Sequence, residues 1–278
     1  MNYQEQLESC RIAISASESA DLQILGLSDA HLKDATVEIA RHMLALGAGI
    51  VYGGDLRKEG FTALLFELVA RHKRDSRDGY DQIGIFSYLA WPVHSSLAVE
   101  EIGEITEELA GIAELILLNR IGSRIPTEER INEPPKAFNN NEWSEGLTNM
   151  RRTMTIESQA RILLGGQTVN FKGCMPGIAE EALLSLQMKQ PLFLVGGFGG
   201  CTLDLVKILG LYPHTGAQYN WPGHKEFQHF TSNNLNNGLT IEENKILART
   251  PHTNQAVILI MRGLLNIFKH PPEPTTTI

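Results

Sequence analysis

Three short apolar runs in this chain each end in a pair of glycines. They are residues 50–54 (IVYGG), 162–166 (ILLGG) and 193–197 (FLVGG), so the pairs are Gly53-Gly54, Gly165-Gly166 and Gly196-Gly197. Because glycine has no Cβ, a glycine at the carboxyl end of a buried strand lets backbone N–H groups and a helix N-terminus approach an anion, usually a phosphate. The pattern predicts a nucleotide site. The alternative is that the glycines only end a strand and let the next helix pack closely.

Arginines near the first two turns could complete a phosphate site. Arg57 follows the first turn, and Arg151-Arg152 precedes the second. A planar guanidinium binds phosphate through two parallel hydrogen bonds. Neighbouring residues of a helix point in different directions, so we expect at most one of the adjacent pair to face the ligand and the other to be solvated.

Three carboxylates could accept hydrogen bonds from a ribose. They are Asp55, Glu180 and Glu181. In an enzyme, one of the paired glutamates would stabilise an oxocarbenium-like transition state or activate water, whereas in a receptor it would only hold the sugar. A third interpretation is that Glu180-Glu181 merely complements the dipole of a first helical turn.

The third glycine turn continues as Gly196-Gly197-Phe198-Gly199-Gly200 and lacks the G-x-G-x-x-G spacing of dinucleotide-binding proteins. We predict a flexible turn with Phe198 free to stack on a base, and packing of the ring is the alternative. Cys201 follows directly, and a buried structural thiol is expected more than a nucleophile.

Strand and helix patterns alternate along the chain. Apolar runs predict strands at 10–15, 50–52, 83–88, 115–118, 161–164 and 191–195, and helical periodicity predicts helices at 28–46, 63–71, 147–155, 178–188, 240–248 and 254–268. This alternation predicts an α/β fold, doubly wound, with a mostly parallel sheet, helices on both faces and ligands at the carboxyl ends of the strands.

The chain is expected to form a single domain over residues 1–278. Within it, 119–147 is rich in proline and asparagine and is predicted to be a long loop or lid, while 212–278 is predicted to be a C-terminal extension packed on the same domain.

Composition excludes several classes of protein. The 278 residues carry 24 Lys plus Arg against 32 Asp plus Glu, a net charge of -8 that argues against binding a nucleic-acid polymer. Three unclustered cysteines fit a cytoplasmic, reducing environment. No apolar run approaches the roughly 20 residues of a membrane span. The nine histidines show no metal-ligand spacing, so neither a metal nor a cofactor is expected.

Several motifs occur together in an order that resembles the SLOG superfamily, a Rossmann-like group that includes the LONELY GUY phosphoribohydrolases and the nucleotide sensors of bacterial conflict systems. The motifs are 13–17 (AISAS), 51–57 (VYGGDLR), 150–152 (MRR), 164–166 (LGG), 175–181 (MPGIAEE) and 196–200 (GGFGG). The resemblance implies that the ligand-binding residues are Ser15, Ser17, Gly53, Gly54, Asp55, Arg57, Arg151, Arg152, Gly165, Gly166, Gly177, Gly196, Gly197, Phe198 and Gly199.

Within this superfamily, the chain is more similar to the sensors than to the hydrolases. Leu164 stands where the hydrolase motif has proline, and residues 167–175 separate the glycines from the helix that carries Glu180 and Glu181. A carboxylate misplaced by about 1 Å can lose on the order of 100-fold in rate.

The resemblance therefore implies a receptor for a nucleotide or NAD-derived signal, such as a cyclic ADP-ribose-type or cyclic nucleotide ligand, in antiphage defence. The alternative is a hydrolase that cleaves the N-glycosidic bond of nucleoside 5′-monophosphates. The expected partners are the small nucleotide, a second copy in a homodimer or higher oligomer, and a separate effector protein, with no membrane partner.

Overall fold

A parallel β-sheet forms the middle layer of the molecule. A computed structural model describes residues 6–54, 61–75, 84–130, 134–213 and 219–268. Its strands are β1 (Arg11–Ser17), β2 (Gly49–Gly53), β3 (Ile85–Leu89), β4 (Ala113–Leu118), β5 (Arg124–Ile125), β6 (Ala160–Gly165) and β7 (Leu192–Val195). They lie in the order β5-β4-β3-β2-β1-β6-β7, and only the edge strand β5 is antiparallel to its neighbour.

The strand order reverses between β1 and β6. The chain builds β2, β3 and β4 outward on one side of β1, then returns to place β6 and β7 on the other side. Ser17 at the end of β1 is in register with Gly165 at the end of β6. In open α/β sheets such a reversal leaves a crevice at the carboxyl ends of the strands, where ligands bind.

Ten α-helices of the described residues surround the sheet. They are α1 (Asp29–Ala45), α2 (Phe61–Asp75), α3 (Trp91–Ser95), α4 (Val99–Glu108), α5 (Thr127–Arg130), α6 (Asn140–Ile156), α7 (Gly177–Gln187), α8 (Gly200–Ile208), α9 (Ile241–Leu247) and α10 (Thr253–Phe268). Short 3-10 turns occur at Gly196–Phe198, His224–Phe227 and Ser232–Asn234.

The helices divide between the two faces of the sheet. On one face, Ile12 and Ile14 of β1 share a core with α1, α2 and α10. On the other face, Ala13 and Val51 pack with Met150 and Met154 of α6. Leu163 continues that second face under α7 and α8. Burial on both faces explains why the strands read as unbroken apolar runs, and the predicted doubly wound α/β fold is confirmed.

The segment 119–147, expected to be a long loop or lid, contains regular structure. It includes β5 and α5, and α6 begins at Asn140 rather than near Leu147. The cause is local capping: Asn139 Oδ1 accepts hydrogen bonds from the N–H groups of Asn141 and Glu142, at 2.9 and 3.0 Å, and Asn139 N donates one to Glu142 Oε2 at 2.9 Å. This capping box fixes the helix start.

No helix among the described residues combines the length and apolarity needed to cross a bilayer.

Candidate functional site

A cavity lies at the reversal of strand order. It has a volume of about 590 Å³ and is lined by the β1–α1 loop, the start of α1 and the first part of the β6–α7 loop, that is, by residues within 18–29 and 167–170. Its size falls in the range of small-molecule sites, about 300–1,000 Å³. Position and size together make it the candidate ligand pocket.

The cavity is acidic. Glu18 and Asp29 are the charged residues of its lining, and no lysine or arginine of the described residues lines it. Glu18 Oε2 accepts a hydrogen bond from Gln167 Nε2 at 2.9 Å, which links the two loops that form the walls. Of the predicted arginines that the structure describes, neither Arg151 nor Arg152 lines the cavity.

Arg151 lies on the other side of the β6–α7 loop, against the N-terminus of α7. A Cβ at Gly177 would lie 2.6 Å from Arg151 Nη2, so glycine is what lets the guanidinium approach this helix end. Arg151 Nη1 also donates to Glu180, which accepts a second hydrogen bond from Thr148. The first N–H groups of a helix have no acceptor within it, so the α7 N-terminus presents a positive dipole end beside the guanidinium of Arg151.

Arg161 of β6 is fully buried beneath α7. It donates to the hydroxyls of Ser15 at 2.9 Å, Thr155 at 3.1 Å and Ser185 at 3.2 Å. Its Nη1 lies 3.1 Å from Glu181 Oε2. Burial lowers the pKa of Arg161 from its ordinary value, and Glu181 opposes that shift.

Glu181 joins the two arginines. Its Oε1 lies 3.8 Å from Arg151 Nε, and that buried nitrogen has no hydrogen-bond partner among the described residues. Arg151, Arg161, Glu180 and Glu181 thus form a neutral group of two cations and two carboxylates, here called the ion cluster. Sequence reasoning missed Arg161; the available signal was a charged residue inside an apolar strand, which must have buried partners.

The first two glycine turns lie in closely packed parts of the structure. Gly54 N donates to Tyr88 O at 3.0 Å, and a Cβ at Gly53 would lie 3.0 Å from Met150 Cε. Gly166 N donates to Ser17 O at 2.9 Å, and Gly166 has a φ of +106°. These N–H groups already have acceptors, which favours the packing interpretation for both turns.

The third glycine turn is also part of the core. A Cβ at Gly196 would lie 2.5 Å from Ala248 O, and Gly197 lies against the backbone of Thr250. Phe198, expected to be free for stacking on a base, is 1% exposed. The expectation of a flexible turn with an open ring is corrected here, because the C-terminal part of the chain covers the turn.

Gly199 and Gly200 meet the β1–α1 loop. A Cβ at Gly199 would lie 2.5 Å from Asp21 Cβ, and Asp21 Oδ2 accepts a hydrogen bond from Gly200 N at 2.7 Å. An internal carboxylate thus occupies the N-terminus of α8, where an anion is favourable.

The other predicted site residues are dispersed. Ser17 is half-buried at the end of β1, and Arg152 is exposed on α6. Asp55 and Arg57 lie outside the described residues. Cys201 is buried, and burial raises the pKa of its thiol, which disfavours the thiolate that a nucleophile requires.

The fold and its crevice define a Rossmann-like α/β protein with a ligand-type pocket at the reversal of strand order. The sequence matches the family described as SLOG cluster2 over residues 6–230, which is most of the chain. The chain therefore belongs to the SLOG superfamily, whose membership suggests a nucleotide-related function. No curated protein matches it.

Proposed function

We propose that this protein binds a nucleotide or NAD-derived signalling molecule as a receptor, at the edge formed by the 590 Å³ cavity and the α7 N-terminus. The observation that carries the proposal is that one loop, β6–α7, borders both features. Gln167, Val169 and Asn170 line the cavity, and Gly173 and Gly177 lie against Arg151. The resemblance to sensors of conflict systems supports a role in antiphage signalling.

The ion pairs of the two glutamates favour a receptor over a hydrolase. Glu180 accepts hydrogen bonds from Arg151 and Thr148, and Glu181 lies between Arg161 and Arg151. A general base must reach the proton that it removes, and both carboxylates are already engaged by arginine side chains. Both glutamates therefore suit holding Arg151 in position.

The test measures binding and turnover on the same samples. AMP, ADP-ribose, cyclic ADP-ribose isomers and cyclic oligonucleotides are screened by thermal unfolding, because a ligand at 100 times its Kd adds about 2.7 kcal/mol of stability. Chromatography then follows free base. We expect one of these compounds to increase the stability of the protein, and we expect no release of adenine from AMP.

Two variants separate the roles of the adjacent arginines. Arg151→Gln with Glu180→Gln removes both charges of one pair without leaving a buried charge alone, and it should abolish the stability increase. Arg152→Gln, the exposed neighbour, should leave it unchanged. The absence of any stability increase across the whole panel would contradict the proposal, and release of base that depends on Glu180 would establish the hydrolase instead.

A further inference from the structure

The cavity and the α7 N-terminus present opposite charge to a bound nucleotide. Glu18 and Asp29 face the cavity, whereas Arg151 lies at the helix end beyond the same loop. A nucleotide also has two unlike parts, an anionic phosphate and an uncharged nucleoside. The charge pattern therefore assigns an orientation to the ligand.

The N-terminus of α1 is not a vacant anion site. Asp29 is the first residue of this helix, and its carboxylate already complements the positive end of the dipole. Ser28, the N-cap residue, contacts His31 Nδ1 at 2.8 Å through its hydroxyl. Among the described residues, a phosphate placed in the cavity would face Glu18 and Asp29 with no cation in the lining, so charge repulsion disfavours it there.

The rest of the lining suits a nucleoside. Leu22, Leu27 and Val169 provide apolar surface for the face of a base, and the side-chain amides of Gln23 and Asn170 provide donors and acceptors for its edges. Carboxylates accept hydrogen bonds from vicinal ribose hydroxyls, as the acidic residue of dinucleotide-binding folds does.

We propose that the cavity holds the nucleoside part of the ligand, with ribose hydroxyls donating to Glu18 and Asp29, and that the phosphate lies outside it, toward Arg151. This inference rests on the proposed function and deepens it. It predicts that the cavity selects ribonucleosides by their hydroxyls and contributes nothing to phosphate affinity.

The test compares ligands that differ in one part. Calorimetry measures the affinity of wild type and Glu18→Gln for the four common ribonucleosides, their 5′-monophosphates and the 2′,3′-dideoxy monophosphates. A charge-assisted hydrogen bond corresponds to about 10- to 100-fold in affinity. We expect Glu18→Gln to weaken the best nucleoside and its monophosphate by the same factor, and to leave the dideoxy analogue unchanged.

Two control proteins complete the design. Glu107→Gln removes the same charge from an exposed position on α4 and should change no affinity. Arg151→Gln with Glu180→Gln should weaken the monophosphate but not the nucleoside. Melting temperatures of the ligand-free variants establish that each is folded.

Three results would overturn the inference. The first is tighter binding of the monophosphate by Glu18→Gln than by wild type, which would put the phosphate in the cavity. The second is equal affinity of wild type for the ribo and dideoxy monophosphates. The third is failure of every nucleoside to bind. Each leaves the proposed function intact if the wider panel of nucleotides still binds. Failure of that whole panel removes both proposals.

Discussion

The two faces of the β1–β6 pair use charge in opposite ways. Under α7, the ion cluster buries two arginines and two glutamates, and each charge has a partner of opposite sign. On the α1 side, Glu18 and Asp29 face a cavity and pair with no cation of its lining. A buried ion must be paired because its desolvation is costly, whereas a carboxylate beside a cavity keeps acceptor capacity for a ligand. The comparison separates the fully buried Arg161 and its partner Glu181, which maintain the fold, from carboxylates that are available for binding.

The largest difference in the free energy of unfolding is expected between variants that remove one charge from each face. Arg161→Met leaves Glu181 buried without its close partner and should lower the free energy of unfolding by about 3–5 kcal/mol. Glu18→Gln, on the cavity side, should change it by no more than about 0.5 kcal/mol. Urea denaturation of both variants measures the contrast.

A second substitution in the ion cluster tests the reason for that cost. Arg161→Met combined with Glu181→Leu removes both charges, so it should be less destabilising than the sum of the two single changes. Additive costs would mean that the arginine acts through packing alone, and the contrast between the two faces would then not be electrostatic.

A smaller effect on the free energy of unfolding is expected where the two faces meet. Gly200 and Gly210 both have left-handed φ angles, +66° and +78°, but a Cβ at Gly200 would clash with Gly166 O, whereas a Cβ at Gly210 meets nothing within 4 Å. Gly210→Ala should cost only the strain of about 1–2 kcal/mol. Gly200→Ala should cost about 1–3 kcal/mol more. If thermal unfolding shows the same loss of stability for both variants, the backbone around Gly200 can rearrange to accommodate a Cβ, and this contact does not fix how the two faces meet.

The smallest effect on stability is expected at Asp204, which is neither paired like the carboxylates of the ion cluster nor placed at the cavity. It is half-buried, and its hydrogen-bond donor is the neutral indole of Trp221 at 3.0 Å. Burial raises the pKa of Asp204, and Asp21 adds to the shift, against the hydrogen bond from Trp221. A raised pKa means that the folded state disfavours the carboxylate, so the cost to stability is absent below the unfolded pKa near 3.9, grows as the pH rises above it and is complete above the folded pKa.

Asp204→Asn should therefore stabilise the protein at pH 7 more than at pH 4. The comparison is made with Asp34→Asn, which removes the same charge from the exposed face of α1. A benefit of Asp204→Asn that is the same at both pH values would assign it to packing.

Sequence patterns located the strands well and the contacts between elements poorly. The run predicted as a strand at 161–164 is β6, Ala160–Gly165, because burial on both faces leaves a continuous apolar signal. In contrast, no helix was predicted over α4, of which only Ile102 is buried.

The candidate site shows the same division. Arg151 and Glu180 could be selected by their type, but their pairing depends on how α6 packs against α7, which no local pattern encodes. Phe198 was assigned the wrong environment because its cover comes from residues about 50 positions later in the chain, near Thr250. The acidic cavity was missed because Glu18 and Asp29 belong to no recognisable motif.

The hydrogen bond from Gly200 N to Asp21 has a mechanical consequence. Asp21 belongs to the same β1–α1 loop as Glu18. A ligand that draws this loop toward the cavity must therefore also strain or break the hydrogen bond between Asp21 and the N-terminus of α8. The amide of Gly200 would then exchange with solvent faster, and its deuterium uptake would report events in the cavity from the opposite side of the sheet.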